Sequence, residues 1–233
     1  MEENLGKFQK TIVLCSSIMK EIKAERMSNT KMGKYINVFS LWNEFSGINE
    51  PIHSRILHFF LSDNPMHGQG KLFLSAFLEY IGFEKDKGNE EWIVTAEKGR
   101  VDVLLRRLNP LGAIIIENKS NWAGDRPNQL YRYWYENIHK REEDCCTNYY
   151  SKHPEYKIVY LVPDKTKQIS NNSITRPVNY PEDLPETLPM GLKVLTFHED
   201  IPKWLRKCMD KLPAENTPLR NLIAQYIDYC KQL

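Results

Sequence analysis

Asp102, Glu117 and Lys119 are the residues whose types and spacing most readily do chemistry. They fall in two short aliphatic-rich runs, Gly99 to Leu105 and Ala113 to Lys119, with Asn109-Pro110-Leu111-Gly112 between them. Such runs read as strands and the connection as turn chemistry, which predicts a β-hairpin. Side chains alternate along a strand, so Glu117 and Lys119 share a face. A turn centred near Asn109-Pro110 sets Asp102 opposite Glu117 across an antiparallel ladder. A slip of one residue would turn Asp102 to the other face. Two facing carboxylates repel, and a cation between them offsets the repulsion. A hard divalent ion such as Mg²⁺ takes oxygen ligands and keeps several waters, so one or two carboxylates are enough to hold it. Such an ion polarises a phosphoryl oxygen and acidifies a bound water, while a neighbouring lysine orients that water or steadies developing charge. The chemistry to expect is hydrolysis of a phosphodiester. The spacing by itself also suits a solvated ion-pair ladder of little energetic consequence. Against that, Glu117 ends a run, Ala113-Ile114-Ile115-Ile116, that is apolar on both faces, as in a strand covered on both sides.

The elements that must position these groups follow along the chain. Leu5, Phe8, Ile12, Cys15, Met19 and Ile22 recur at helical spacing and predict an amphipathic helix ending near Ser28 to Gly33. Its stripe is expected to pack against its own domain, with a partner-binding seam as the alternative. A second helix begins at Asn37 to Trp42, and a third runs from Pro51 to about Leu61, since proline suits the first helical position. Glu50 then stands at the start of that helix, with His53 and Ser54 in its first turn. Taken alone, Glu50 is a favourable charge at a helix N-terminus. A loop over 63–70 leads to a helix marked by Phe73, Phe77, Tyr80 and Ile81, and Trp92 to Ala96 reads as the first strand.

After Lys119 comes a helix that Asp125 is expected to cap. Leu130, Trp134 and Ile138 form its inward stripe, and Gln129 and Tyr133, four apart, a second, polar one. That polar stripe either faces the carboxylates or is a wet helical surface. Tyr131, Arg132 and Tyr135 add aromatic and cationic groups suited either to base stacking or, as aromatic helix faces more often are, to packing, and Glu142-Glu143-Asp144 closes the helix. Tyr156 to Val162 is a strand parallel to the Ala113 strand, because a helix joins them. Residues 163–190, punctuated by Pro163, Pro177, Pro181, Pro185 and Pro189, read as a long loop, either a lid or substrate-contact segment or a mobile connector. Leu192 to Phe197 is the last strand, and two helices follow it.

Asp102 with Glu117-Asn118-Lys119 resembles the D…(D/E)-x-K core of the PD-(D/E)XK nuclease superfamily, with Val101 where that name has proline. Glu50-Pro51-Ile52-His53-Ser54, and His67-Gly68-Gln69-Gly70 before Phe73, are similar to the upstream region of a bacterial branch of the superfamily. Ala123-Gly124-Asp125, Gln129 and Tyr133 are similar to the same branch downstream of its E-x-K, so the resemblance covers residues 36–165. It implies an α/β, restriction-endonuclease-like fold: a central mixed β-sheet of about five strands flanked by helices, with N-terminal and C-terminal helical additions. Residues 1–233 are expected to form one domain, helical over 1–90, with the sheet core over 91–200 and C-terminal helices over 201–233. The resemblance further implies a nuclease dependent on Mg²⁺ or Mn²⁺ and acting on nucleic acid, with DNA expected. Asp102 and Glu117 would hold the metal, joined by the backbone carbonyl of Asn118 and by Glu50 as a third acid. Lys119 would orient the water, and Gln129 and Tyr133 would position water or substrate. His53, Ser54 and Arg100 are the remaining candidates for substrate contact. A catalytically silent binding module on the same fold is the alternative.

The rest of the composition sets bounds. A net charge of +2 neither demands nor excludes nucleic acid, so any basic surface must be local. The five cysteines lack any C-x-x-C pair, which argues against a zinc site and a disulfide framework. Met1-Glu2-Glu3-Asn4 is no signal sequence, and no apolar run nears the roughly 18 residues a membrane span needs, so no membrane partner and a cytoplasmic location are expected. Cutting both strands of a duplex would favour a homodimer.

Overall fold

A computed structural model of the chain describes residues 2–64, 66–83, 91–141, 153 and 155–233. In chain order its elements are α1 (Glu2–Lys31), α2 (Val38–Ser46), α3 (Glu50–Leu61), α4 (Leu72–Tyr80), β1 (Trp92–Lys98), β2 (Val101–Leu108) and β3 (Leu111–Asn118). There follow α5 (Gln129–Asn137), β4 (Tyr156–Val162), the short α6 (Asn171–Ile174), β5 (Leu192–Thr196), α7 (Asp200–Asp210) and α8 (Thr217–Cys230). This is a five-stranded mixed sheet flanked by helices, the restriction-endonuclease-like α/β fold that the sequence implies.

The strands lie in the order β1-β2-β3-β4-β5. β1, β2 and β3 form an antiparallel meander, and β3, β4 and β5 run parallel. β3 sits at the centre, and every residue from Gly112 to Asn118 is buried. On one face Val103, Leu105, Ile114, Ile116, Val159 and Leu161 meet a large core built from α3, α4, α7 and α8. On the other, Leu104, Ala113, Ile115, Ile158 and Tyr160 are covered by Leu130, Tyr131 and Trp134 of α5. The β2–β3 ladder runs from Leu108 opposite Leu111 to Val103 opposite Ile116, the register that the Asn109-Pro110 turn dictates. Continued by one step, it sets Asp102 opposite Glu117. The parallel β3–β4 pair needs a crossover, which α5 supplies, and so α5 begins just past the C-terminal end of β3.

Two expectations are corrected. α1 is a continuous helix, but its stripe does not pack against its own domain: Phe8, Ile12, Met19 and Ile22 are exposed, Phe8 to 68%. Both faces of the sheet are already covered by other helices. Residues 163–190, expected to be a long loop, have structure of their own. They fold around α6 and a bridge between Thr175 and Thr187, with the Arg176 guanidinium donating to the carbonyls of Pro181, Glu182 and Leu184. This lobe is fastened to the start of α5, where the Asn128 amide donates to the Asn172 carbonyl at 2.8 Å and the Tyr131 hydroxyl to the Pro185 carbonyl at 2.7 Å. α5 itself ends at Asn137, and the expected closure at Glu142-Glu143-Asp144 lies outside the described residues.

The weight of the two-sided core can be read from paired truncations. Ile115→Ala, at a fully buried position of β3, is expected to cost about 2–5 kcal/mol in urea unfolding. Ile93→Ala, at a half-exposed position of β1, is expected to cost less than about 1 kcal/mol.

Candidate active site

The site forms at the C-terminal end of β3, where the two-sided burial of the strand stops at charged residues. Glu117 is fully buried there, and its Oε1 lies 2.6 Å from the Lys119 Nζ. Asp102, across the ladder, accepts a hydrogen bond at 2.7 Å from the backbone amide of Asn118. Lys119 donates to Gln129 Oε1 at 3.2 Å, Gln129 Nε2 donates to the Tyr133 hydroxyl at 2.9 Å, and Tyr133 donates to the Arg100 carbonyl. The four-residue spacing on α5 thus faces the sheet end, as the polar stripe predicts. Arg100 is offered by the tight β1–β2 turn, in which Gly99 and Arg100 both take positive φ, 62° and 68°. Two such residues in succession form the turn type whose twist suits a hairpin.

Asn118 points to the opposite face from Glu117, as alternation demands. There its Nδ2 donates to the Glu50 carbonyl at 2.8 Å and to Ser54 Oγ at 3.2 Å. Those bonds fasten the first turn of α3 to the strand end and bring Glu50 to the same cavity. The cavity measures about 310 Å³ and is lined by Glu50, Asp102, Glu117, Lys119, Gln129 and Tyr133.

Electrostatically this space is short of positive charge. Burial, with the nearby Glu117 carboxylate adding to it, pushes the Asp102 carboxyl up to about 8. Burial also raises Glu117 and Glu50, each partly offset by the Lys119 ammonium. Tyr133 is pushed upward by burial and by Glu117, so it remains a neutral donor. Glu50 Oε1 and Glu117 Oε2 are buried with no hydrogen-bond partner among the described residues. Buried carboxylate oxygens without partners are costly, and a hard cation is the ligand that would satisfy them. Among the described residues no group of three or more His, Cys, Asp or Glu is placed so that it could hold a metal ion.

The family model of the PD-(D/E)XK nuclease superfamily matches residues 36–230. The chain belongs to that superfamily. Membership gives it a nuclease-type function in general terms and a family habit of using divalent metals. No curated protein and no solved structure matches the chain. The match begins after α1 and runs on to the last residue of α8, so the two C-terminal helices belong to this PD-(D/E)XK fold and α1 lies outside the matched region.

Several residues of this PD-(D/E)XK protein stand elsewhere than the sequence suggests. His53 is fully buried and faces the core: its Nδ1 lies 2.9 Å from the Tyr226 hydroxyl and its ring stacks on Tyr229. Burial lowers its pKa to about 4, so it is neutral and out of reach of a phosphate. Ser54 is likewise buried and spends its hydroxyl on the Glu50 carbonyl and Asn118, which makes it a brace for α3. Arg100, by contrast, lines the cavity from the turn ahead of β2, in keeping with a candidate for substrate contact, and its carbonyl accepts from Tyr133. Tyr131 is fully buried under the 163–190 lobe and offers no stacking face. Asp125 caps no helix, since Asn128 precedes α5 with a left-handed φ of 58°. Asp125 instead accepts from the Tyr160 hydroxyl and the Ser170 amide, each at 2.8 Å, and lies 3.8 Å from Lys119. Glu97 and Arg126 also line the cavity and escaped the sequence reading. For Asp125 the signal existed in Ala123-Gly124-Asp125, but its capping chemistry claimed it first.

A raised carboxyl pKa makes the metal-free fold lose stability as pH climbs. Between the unfolded value near 3.8 and about 8, the unfolded chain has released a proton that the folded state still holds. In EDTA, Asp102→Asn should therefore melt above the wild type at pH 8, with the gap closing toward pH 5. An equal Tm difference at both pH values would show that Asp102 is not held protonated by its surroundings.

Proposed function

We propose that this PD-(D/E)XK protein is a Mg²⁺- or Mn²⁺-dependent nuclease that hydrolyses phosphodiester bonds in DNA. The observation that carries the reading is the cluster at the end of β3. Asp102 and Glu117 face one cavity beside the Lys119 ammonium, and two buried carboxylate oxygens are left unpartnered. Asp102 and Glu117 would hold the ion, with the Asn118 carbonyl and Glu50 completing the protein's share. The chemistry such an ion supplies is polarisation of a phosphoryl oxygen and acidification of a water. Lys119, steadied by Glu117 and Gln129, orients the attacking water and offsets charge developing on the phosphorane oxygens. Gln129 relays the orientation of Lys119 to Tyr133, whose hydroxyl is fixed by the Arg100 carbonyl. Attack breaks the bond from phosphorus to one bridging oxygen, which leaves with a proton.

The exposed a/d-type stripe of α1 supports a homodimer as the working assembly. Phe8, Ile12, Cys15, Met19 and Ile22 alternate spacings of four and three, so one copy's stripe can interlock with its twin.

Labelled plasmid DNA with Mg²⁺ should be cut by the wild type and left intact in EDTA. Lys119→Ala should lower the rate about 10²–10³-fold, the usual consequence of losing one charge-stabilising donor, with an unchanged circular dichroism spectrum. Cleavage at full rate by Lys119→Ala, or in EDTA, would overturn the proposal. For the assembly, sedimentation should give a dimer that Ile12→Asp converts to monomer; a monomeric wild type would contradict it.

A further inference from the structure

Beside the carboxylate cavity lies a second one, of about 540 Å³. The two adjoin, sharing Arg100, Arg126, Gln129 and Tyr133. The first sets these two arginines and Lys119 among Glu50, Glu97, Asp102 and Glu117, whereas the second, a trough, presents Arg100, Arg126 and Arg132 against one carboxylate, Glu136. That carboxylate is paired with the Lys140 ammonium at 2.8 Å. The Arg100 and Arg126 guanidiniums have no partner among the described residues, and Arg132 gives one nitrogen to the Pro127 carbonyl at 3.0 Å. Guanidinium forks left open in this way match the oxygens of a phosphate.

The rest of the trough is built of aromatic and amide groups. Its floor is Asn137, held by a hydrogen bond at 2.7 Å from Arg106 and by its own donation at 3.0 Å to the Tyr133 carbonyl. One wall is Tyr180, contributed by the 163–190 lobe, with its ring 4.5 Å from that of Tyr135. The volume lies within the roughly 300–1,000 Å³ of cavities that enclose one small organic ligand. That is room for a single nucleotide. A tyrosine beside open arginines is the pairing that single strands use, with a base on the ring and a phosphate on the fork.

We propose that this trough binds the nucleotide next to the scissile phosphate in unpaired form. Arg100, Arg126 and Arg132 hold its flanking phosphate, and Tyr180 stacks on its base. The direction of the strand toward Asp102 and Glu117 rests on the nuclease reading above; the binding of a single strand does not require hydrolysis.

The test is fluorescence anisotropy of a labelled twelve-nucleotide DNA strand with the full chain in Ca²⁺, where cleavage is silent. The Arg126→Ala/Arg132→Ala variant should raise Kd at least tenfold and reduce the salt slope by about 0.7, the share of one phosphate contact on a single strand. Tyr180→Ala should raise Kd severalfold with the slope unchanged. Lys203→Ala, an exposed residue paired with Glu199, controls for a simple loss of charge and should bind as the wild type does. The same strand annealed into a blunt duplex should bind more weakly than the single strand. The proposal is overturned if the arginine variant binds like the wild type, if duplex binds as tightly as single strand, or if the wild type binds neither. Single-strand binding that obeys these expectations, without any cleavage in Mg²⁺, would keep this subsite and remove the nuclease reading.

Discussion

Asp102 and Glu117 face each other across one ladder with a single nearby ammonium, Glu117 fully buried and Asp102 half-buried. Their mutual repulsion is the constraint around which the sheet end is arranged. Glu117 is held there because β3 is buried on both faces up to that point and cannot slide without exposing isoleucines. Asp102 is held by the hairpin register and by the Asn118 amide. The side chain of Asn118, on the reverse face, draws in α3 and with it Glu50. One strand end thus sets the position of acids from three separate parts of the chain.

Such a cluster runs against stability. Raised carboxyl pKa values and unpartnered oxygens both register free energy lost on folding without a counter-ion. The surrounding fold bears that cost with a large core: aromatic side chains from α3, α4, α7 and α8 on one side, and α5 on the other. The local conflict sits where local propensity and packing would prefer apolar residues, which is where function is expected to override them. The balance of charge then shifts between the two adjoining cavities, from the acids at the strand end to the arginines around the start of α5. An anionic chain lying along that gradient would meet arginine over part of its length and carboxylates, in need of a cation, over the rest.

Much of this was legible before any coordinates. The hairpin register followed from turn chemistry because a two-residue connection leaves little freedom, and Gln129 and Tyr133 followed from helical period. Other placements depended on partners far away in sequence. His53 lies three residues after Glu50, and only packing against Tyr226 and Tyr229 of α8 turns it into the core. Asp125 had every property of a helix cap, yet the parallel β4 strand brings Tyr160 to it. The proline-rich 163–190 segment hid its order because Arg176 satisfies backbone carbonyls, a pattern without periodicity. For α1 the sequence disclosed an apolar stripe but not what covers it, and among the described residues that stripe stays exposed.

The central claim, that Asp102 and Glu117 jointly hold a divalent cation, is met most directly by diffraction from crystals soaked in Mn²⁺ and recorded at the manganese absorption edge. We expect one anomalous peak bonded to oxygens of both carboxylates, lost in crystals of Asp102→Asn. Crystals that diffract well and show no peak there, or a peak that persists unchanged in the variant, would contradict it.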